Sequence, residues 1–284
     1  MEPGHVPIMP AEIIDYLSAS SPKLLVDGTS GGGGHTSLLK EALPESRILA
    51  FERDPSAAEH LLSRFSGTSV SVINSSYADI PVWLKQNSCG PVQAVLLDLG
   101  LSSIQLDSPD RGFSHRTTSP LDMRFDRSRG KPAWEFLCSM TEKQIADVIY
   151  RYGEEGRSRA IAKAIKNAGK LNTTDDLAEA VRSVVKGNPV KPLARVFQAV
   201  RIHVNSELEH LEKLLSEMHL WTGPECRIAV LTFHSIEDRM IKQHFRDSEH
   251  FLQYDPPWLL PGTAEKRLNP RARSARLRLG MRRP

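Results

Sequence analysis

The chain predicts an α/β domain built on a doubly wound, mostly parallel sheet and interrupted by an all-helical lobe. Three observations carry that prediction. Four short β-rich apolar runs, KLLVD, RILAFE, SVSVIN and AVLLDLG, succeed one another with helical or polar stretches between them, the alternation of a parallel sheet with crossover helices. The first run opens directly into DGTSGGGGHT, Asp27 to Thr36, the glycine-rich turn such sheets place before their first helix. The strand pattern then lapses for about 100 residues and returns in RIAVLTF, Arg227 to Phe233.

Taken in order, KLLVD is the first strand, and Thr36 to Leu43 reads as the helix that follows its glycine loop. RILAFE, ending on Glu52, is the second strand, followed by a helix over Pro55 to Phe65 with Pro55 suited to the first turn. SVSVIN and AVLLDLG supply strands three and four. After Gln105 the segment LDSPDRGFSHRTTSPLDMRFDRSRGKP has turn formers and charges but no strand period, and reads as a long loop. From Trp134 to about Asn205 apolar residues recur at helical spacing, as in Ile145, Val148, Ile149 and Tyr152, with Thr173 or Thr174 as an N-cap. Leu208 to Met218 continues as helix, EDRMIKQHFRD follows the returning strand as another, and ARLRLG can supply an edge strand. The expected organisation is a discontinuous domain of residues 1–106 and 205–284, with 107–204 as an inserted loop and helical substrate-recognition domain.

Composition narrows the classes. With 284 residues and 40% hydrophobic content the chain can bury a core. The formal charge of +3 hides a concentration of Lys and Arg in the last twenty residues, EKRLNPRARSARLRLGMRRP, which suits phosphate partners or else a solvated tail. Cys89, Cys138 and Cys226 are far apart and form no C-x-x-C, so neither a disulfide framework nor a zinc site is indicated and no metal is expected. No apolar run reaches the length of a membrane span, and the N-terminus lacks a signal peptide's apolar region, so a reduced cytoplasm is the expected setting.

Four consecutive glycines carry an entropic cost that a close approach of backbone to a ligand would justify. A glycine loop and a later acid fit both a dinucleotide and S-adenosylmethionine. Asp27, however, opens the loop with negative charge, which repels a pyrophosphate and attracts a sulfonium, and G-x-G-x-x-G spacing is missing, so S-adenosylmethionine is the expected cofactor. Glu52, at the tip of strand two, is placed for ribose hydroxyls. Asp98 ends the fourth apolar run, where ligands of open α/β sheets bind; the alternative is that it caps the following turn. Ser102, Ser103 and Gln105 are either site or turn residues, and Tyr77 either stacks near an adenine or packs at the surface. For His35 the backbone N–H is expected to matter more than the imidazole. FHSIED sets His, Ser and acids together, but neighbours at a strand end rarely point at one another and no nucleophile elbow accompanies them. DPPW, Asp255 to Trp258, resembles the box with which amino-group methyltransferases grip an NH2, yet it stands after a charged helix and reads as a turn.

In order along the chain, HVPIM, DGTSGGGGHT, FERDP, LLDLGLSS, RGFSHR with PLDMRFD, YGEE, FQAVRIHVNSEL, FHSIEDR and NPRARS make the sequence resemble the MraW or RsmH family of ribosomal RNA small-subunit methyltransferases. The resemblance implies a class I S-adenosylmethionine methyltransferase fold, Rossmann-like with seven strands, and N4 methylation of a cytidine in the decoding region of small-subunit ribosomal RNA. It implies cofactor contacts from Gly33, Gly34 and His35, from Glu52 on the ribose, Tyr77 beside the adenine, and Asp98 and Gln105 around the methionine and methyl end; the need to orient the cytosine amine makes Asp98 the candidate catalytic residue, as orienter and proton acceptor. Ser102, Ser103, Arg111, His115 and Arg124 would hold the RNA strand, and Arg271 and Arg273 its phosphates, on an assembled or nearly assembled small subunit. Oligomeric state stays open. The sequence departs from the family at Glu52, usually aspartate, at SSIQ for SSPQ, at HRTTSPLDM, which lacks the usual Asp-Gly, and at KPLAR for Pro-Ala-Thr-Arg; these bear on loop shape rather than on the reaction.

Overall fold

In the computed structural model, residues 7–102, 105–106 and 108–284 are described. The chain divides into two compact units, Met1–Ser103 with Glu209–Pro284, and Ile104–Leu208.

The first unit is a seven-stranded sheet in the order β3-β2-β1-β4-β5-β7-β6. The strands are β1 (Leu24–Asp27), β2 (Arg47–Glu52), β3 (Val70–Asn74), β4 (Val92–Asp98), β5 (Thr222–Thr232), β6 (Phe251–Gln253) and β7 (Arg276–Arg282). The first five run parallel, while β7 is antiparallel to both β5 and β6. Apolar runs form β1, β2, β4 and the second half of β5, residues 228–231, because both faces are covered there. One face packs Leu25, Ile48, Leu96 and Leu231 against α1 (Pro10–Ser18), α2 (Gly34–Ala42) and α3 (Pro55–Arg64) through Leu17, Leu39 and Leu61. The alternate residues Val26, Leu49, Val95, Leu97 and Val230 pack against α4 (Ile80–Gln86) through Leu84, and against Leu214 and Phe245.

Two expectations at the C-terminus are corrected. ARLRLG does form a strand, but β7 lies inside the sheet between β5 and β6; the edge is β6, whose three residues give no readable period. The basic stretch is therefore no solvated tail. Arg278 is only 2% exposed, because Asp238 takes its Nε at 2.6 Å and its Nη2 at 2.9 Å. Gly280 lets Phe245 close on β7, since a Cβ there would meet the ring at 2.5 Å.

The second unit consists of a structured loop and helices α5 (Ala133–Ser139), α6 (Glu142–Gly153), α7 (Ser158–Asn167), α8 (Thr174–Val184) and α9 (Val190–Asn205). Thr173 is the N-cap of α8, with a reciprocal bond from Asp176, and Thr141 caps α6 with Gln144 in the same way. Ile145, Ile149, Ile161, Ile165, Leu177, Val181 and Val196 form the buried stripes. Helices α10 (Glu207–Trp221), α11 (Ser235–Asp247) and α12 (Thr263–Leu268) complete the chain. Among the described residues no helix is long and apolar enough to cross a membrane.

Candidate functional site

The carboxyl ends of β1, β2 and β4 each finish on an acid, and the register of the sheet puts Glu52 and Asp98 each two residues beyond Asp27, on the strands either side of it. Asp27 pairs with Ala50 of β2 and Leu96 of β4, while Asp98 pairs with Leu231 of β5. Asp27 is buried. It accepts Thr36 Oγ1 at 2.6 Å and Thr29 N at 3.1 Å, so it ties the start of the glycine loop to the helix that leaves it. Burial raises its pKa to about 6 against the opposing pull of those hydrogen bonds.

The loop is held along its length. Ser30 N donates to Phe51 O at 3.0 Å, Gly33 N to Ser30 O at 2.7 Å, and Gly31 N to Glu52 Oε2 at 2.8 Å. Gly33, with φ of 80°, precedes α2 in a left-handed conformation, and a Cβ there would meet Leu61 at 2.8 Å. The first-turn N–H groups of α2, from Gly34, His35 and Thr36, have no acceptor within the helix and lie at the end of the glycine loop.

Glu52 accepts both Gly31 N and Asp54 N, each at 2.8 Å, with lone pairs remaining for a ligand. Burial drives its pKa up to about 7, those two bonds opposing and Asp54 and Asp27 adding like charge. Tyr77 sits where Gly28 begins the loop: a Cβ on Gly28 would lie 3.3 Å from Tyr77 Cβ, and the ring meets His210 edge-on at 6.4 Å. Ser102 abuts Gly31, whose Cβ would be 3.2 Å from that of Ser102. Ser103 lies outside the described residues. Gln105 is buried at the start of the second unit.

Asp98 is anchored through its backbone N–H on Thr29 Oγ1 at 2.5 Å, and its side chain remains 31% exposed. Desolvation at the rim raises its pKa to about 7, reinforced by the charges of Asp27 and Glu237 and opposed by Arg271. Across from it stands the His35 imidazole, with Nε2 3.7 Å from Asp98 Oδ2. That nitrogen is buried without a hydrogen-bond partner, and burial lowers the pKa of the ring to about 4, so the imidazole is neutral. The side chain of His35, which sequence reasoning ranked below its N–H, thus faces the most exposed acid of the site.

Sequence reasoning missed Thr29, Thr36 and Glu237. The hydroxyls are ordinary loop residues until the fold brings them to Asp98 and Asp27. Glu237 accepts Phe233 N at 3.1 Å and lies 2.9 Å from His234 Nε2 without the alignment of a hydrogen bond. The expectation that neighbours in FHSIED would not meet is therefore corrected: His234 is the N-cap of α11, and capping brings residues three apart into contact. No serine nucleophile results.

In the second unit, Arg111 and Arg124, expected at the RNA strand, make hydrogen bonds within their own loop. Arg111, 7% exposed, donates Nη2 to the carbonyls of Arg124 and Phe125 at 2.9 and 2.8 Å. Arg124 grips Asp122 at 2.7 and 2.9 Å. Both guanidiniums hold the loop together, with Asn205 clamping Met123 O and Phe125 N. His115 packs edge-on against Phe197 at 5.6 Å. Arg271 and Arg273 lie on the 3₁₀ turn Pro270–Arg273 that leads into β7; Arg273 is exposed and donates to Lys266 O at 3.3 Å. Among the described residues no cluster of His, Cys, Asp and Glu is arranged to hold a metal ion.

A sheet of this order with one antiparallel strand, a glycine loop running from β1 into α2, and acids ending β1, β2 and β4 define a class I S-adenosylmethionine-dependent methyltransferase. The sequence model of the MraW methylase family matches residues 2–283, and this chain belongs to that family. It is 41% identical to a ribosomal RNA small subunit methyltransferase H of Coprothermobacter proteolyticus, over 97% of this chain and 95% of the other. A protein of the same name from Acinetobacter baylyi is 42% identical over 98% of this chain and 99% of its own.

Proposed function

We propose that this protein methylates N4 of a cytidine in the decoding region of small-subunit ribosomal RNA, in the cytoplasm and on an assembled or nearly assembled subunit. The methyl donor is S-adenosylmethionine, and the relatives' names support ribosomal RNA of the small subunit as acceptor. One observation carries the chemistry: Asp27, Glu52, Asp98 and Glu237 bring negative charge to one rim, a setting for a sulfonium cation and a hostile one for a pyrophosphate.

In this reading the N–H groups of Gly33, Gly34 and His35 and the carboxylate of Glu52 hold the cofactor, Tyr77 lies beside its adenine, and Asp98 and Gln105 border its methionine end. When bound, the cofactor supplies an electrophilic methyl carbon on a cationic sulfur. Asp98 accepts a hydrogen bond from the cytosine amine, turns its lone pair out of conjugation with the ring, and takes the proton the nitrogen loses on methylation. Its raised pKa suits a proton acceptor near neutral pH. Neutral His35 keeps a second cation away from Asp98. Positioning is the larger resource, worth up to about 7–11 kcal/mol when alignment is good. Ser102 borders the acceptor base, with His115 and Arg271 and Arg273 toward the RNA strand.

The test is to incubate the purified protein with labelled donor and with naked ribosomal RNA or small subunits, then digest the RNA to nucleosides. Label on the cytidine N4 is expected. Label on another base or another atom, or none on either substrate, refutes the assignment.

A further inference from the structure

Of the ten large hydrophobic side chains exposed among the described residues, four fall within one short stretch: Tyr254, Trp258, Leu260 and Leu268. This stretch includes DPPW, which the reading above leaves unused. Backbone hydrogen bonds explain its shape. Tyr254 N donates to Leu279 O at 3.1 Å, and Leu259 and Leu277 exchange bonds of 2.8 and 3.0 Å, so Asp255 to Trp258 arch off the edge of β7 and return.

Trp258 is 44% exposed, and its ring is backed by the Arg278 guanidinium, 5.7 Å from the ring centroid. That guanidinium is itself fixed by Asp238 and by Pro257 O at 3.0 Å. An aromatic plate braced in this way loses little conformational entropy when another flat ring meets it. Its position is fixed by register. Leu259, Leu277, Leu231 and Asp98 lie in one row across four neighbouring chain segments, which sets the backbone of Leu259 about 14 Å from that of Asp98, three strand spacings. The chain that follows carries positive charge in Lys266, Arg267, Arg271 and Arg273, with Arg273 Nε donating to Lys266 O at 3.3 Å, against Asp255 and a Glu265 that is bonded to Met9 N. Arg271 is close enough to lower the pKa of Asp98.

We propose that Trp258 is a stacking platform for an unpaired nucleotide of the RNA strand that carries the target base, with Lys266, Arg267 and Arg273 on the neighbouring phosphates. The proposal rests on the RNA substrate proposed above. Bases stack on aromatic rings with little regard to sequence, and basic side chains follow the backbone between them.

The full-length protein would be titrated with a short fluorescein-labelled single-stranded RNA. Trp258→Ala should weaken binding by about tenfold, Trp258→Phe should stay close to wild type, and S-adenosylmethionine affinity should be unchanged in both. Charge reversal at Lys266 and Arg273 should weaken RNA binding most at low salt. If Trp258→Ala misfolds, Trp258→Leu, which covers Arg278 but offers no π face, takes its place. RNA affinity indifferent to loss of the ring overturns the proposal, as does a dimer in sedimentation that the same substitution dissolves. Loss of RNA affinity with Trp258, in a protein that methylates no ribosomal RNA, would sink the function proposed above and leave this platform standing. Normal methylation with indifference to Trp258 does the reverse.

Discussion

At the scale of single residues, the rim of the sheet holds acids against their chemical preference. A free carboxyl titrates near 4, whereas burial raises Asp27 to about 6 and Glu52 and Asp98 to about 7. The folded protein therefore binds more protons than the unfolded chain between about pH 4 and 7, so its stability without ligand falls as pH rises through that window. A sulfonium reverses the preference by favouring the charged forms. Affinity for S-adenosylmethionine should rise from about pH 6 to about pH 8, while S-adenosylhomocysteine, neutral at sulfur, should show a much shallower rise; titration calorimetry at several pH values measures both. Equal slopes would remove the electrostatic account of cofactor choice. Asp98→Asn should cut methyl transfer by about 10²-fold or more while cofactor binding stays measurable, and its remaining activity should lose the decline below neutral pH. Retained turnover would strip Asp98 of its role. The sequence exposes these three acids because each ends an apolar run, but it conceals Thr29, Thr36 and the reach of the His35 ring, which depend on where distant loops cross.

At the scale of elements, legibility follows burial. Strands β1, β2, β4 and the second half of β5, residues 228–231, are covered on both faces, so their residues are mostly apolar and their ends are marked by polar residues, whereas the first half of β5, TGPECR, is partly exposed and carries no apolar run. β6 has three residues and no pattern. β7 was readable as a strand but not as an inner one, because Arg276 and Arg278 alternate with leucines in the manner of a solvated face. What hides Arg278 is Asp238, a residue of α11 that also takes Arg276 at 2.9 Å. Arg278→Ala would leave a buried carboxylate with one partner fewer and no plate beneath Trp258, at a cost of about 3 kcal/mol and several degrees in Tm by thermal denaturation. Arg273→Ala, exposed on the turn just before the strand, should leave melting unchanged. If the two substitutions proved equally harmless, the C-terminal arginines would be surface charge after all.

At the scale of the whole molecule, every acid of the rim, the glycine loop and His35 belong to the first unit, and so do all members of the two apolar clusters that flank its sheet. In sequence the second unit follows β4, and it contains its own buried helical stripes. Its presence was legible from the change of period after Gln105; the inward use of Arg111 and Arg124 was not, since an arginine that binds carbonyls and one that binds phosphates read alike. Separate cores imply separable tasks: cofactor binding is proposed for the first unit together with Gln105, and the larger part of substrate recognition for the helices of the second. Replacing residues 107–204, which spares Gln105, by a short Gly/Ser linker should therefore give a protein that melts cooperatively and still binds S-adenosylmethionine, but transfers no methyl group to small subunits. Calorimetry and nucleoside analysis read the two halves of that expectation independently. Methylation by the shortened chain would show that the insertion is not the recognition element, and loss of cofactor binding would show that the first unit's core depends on it.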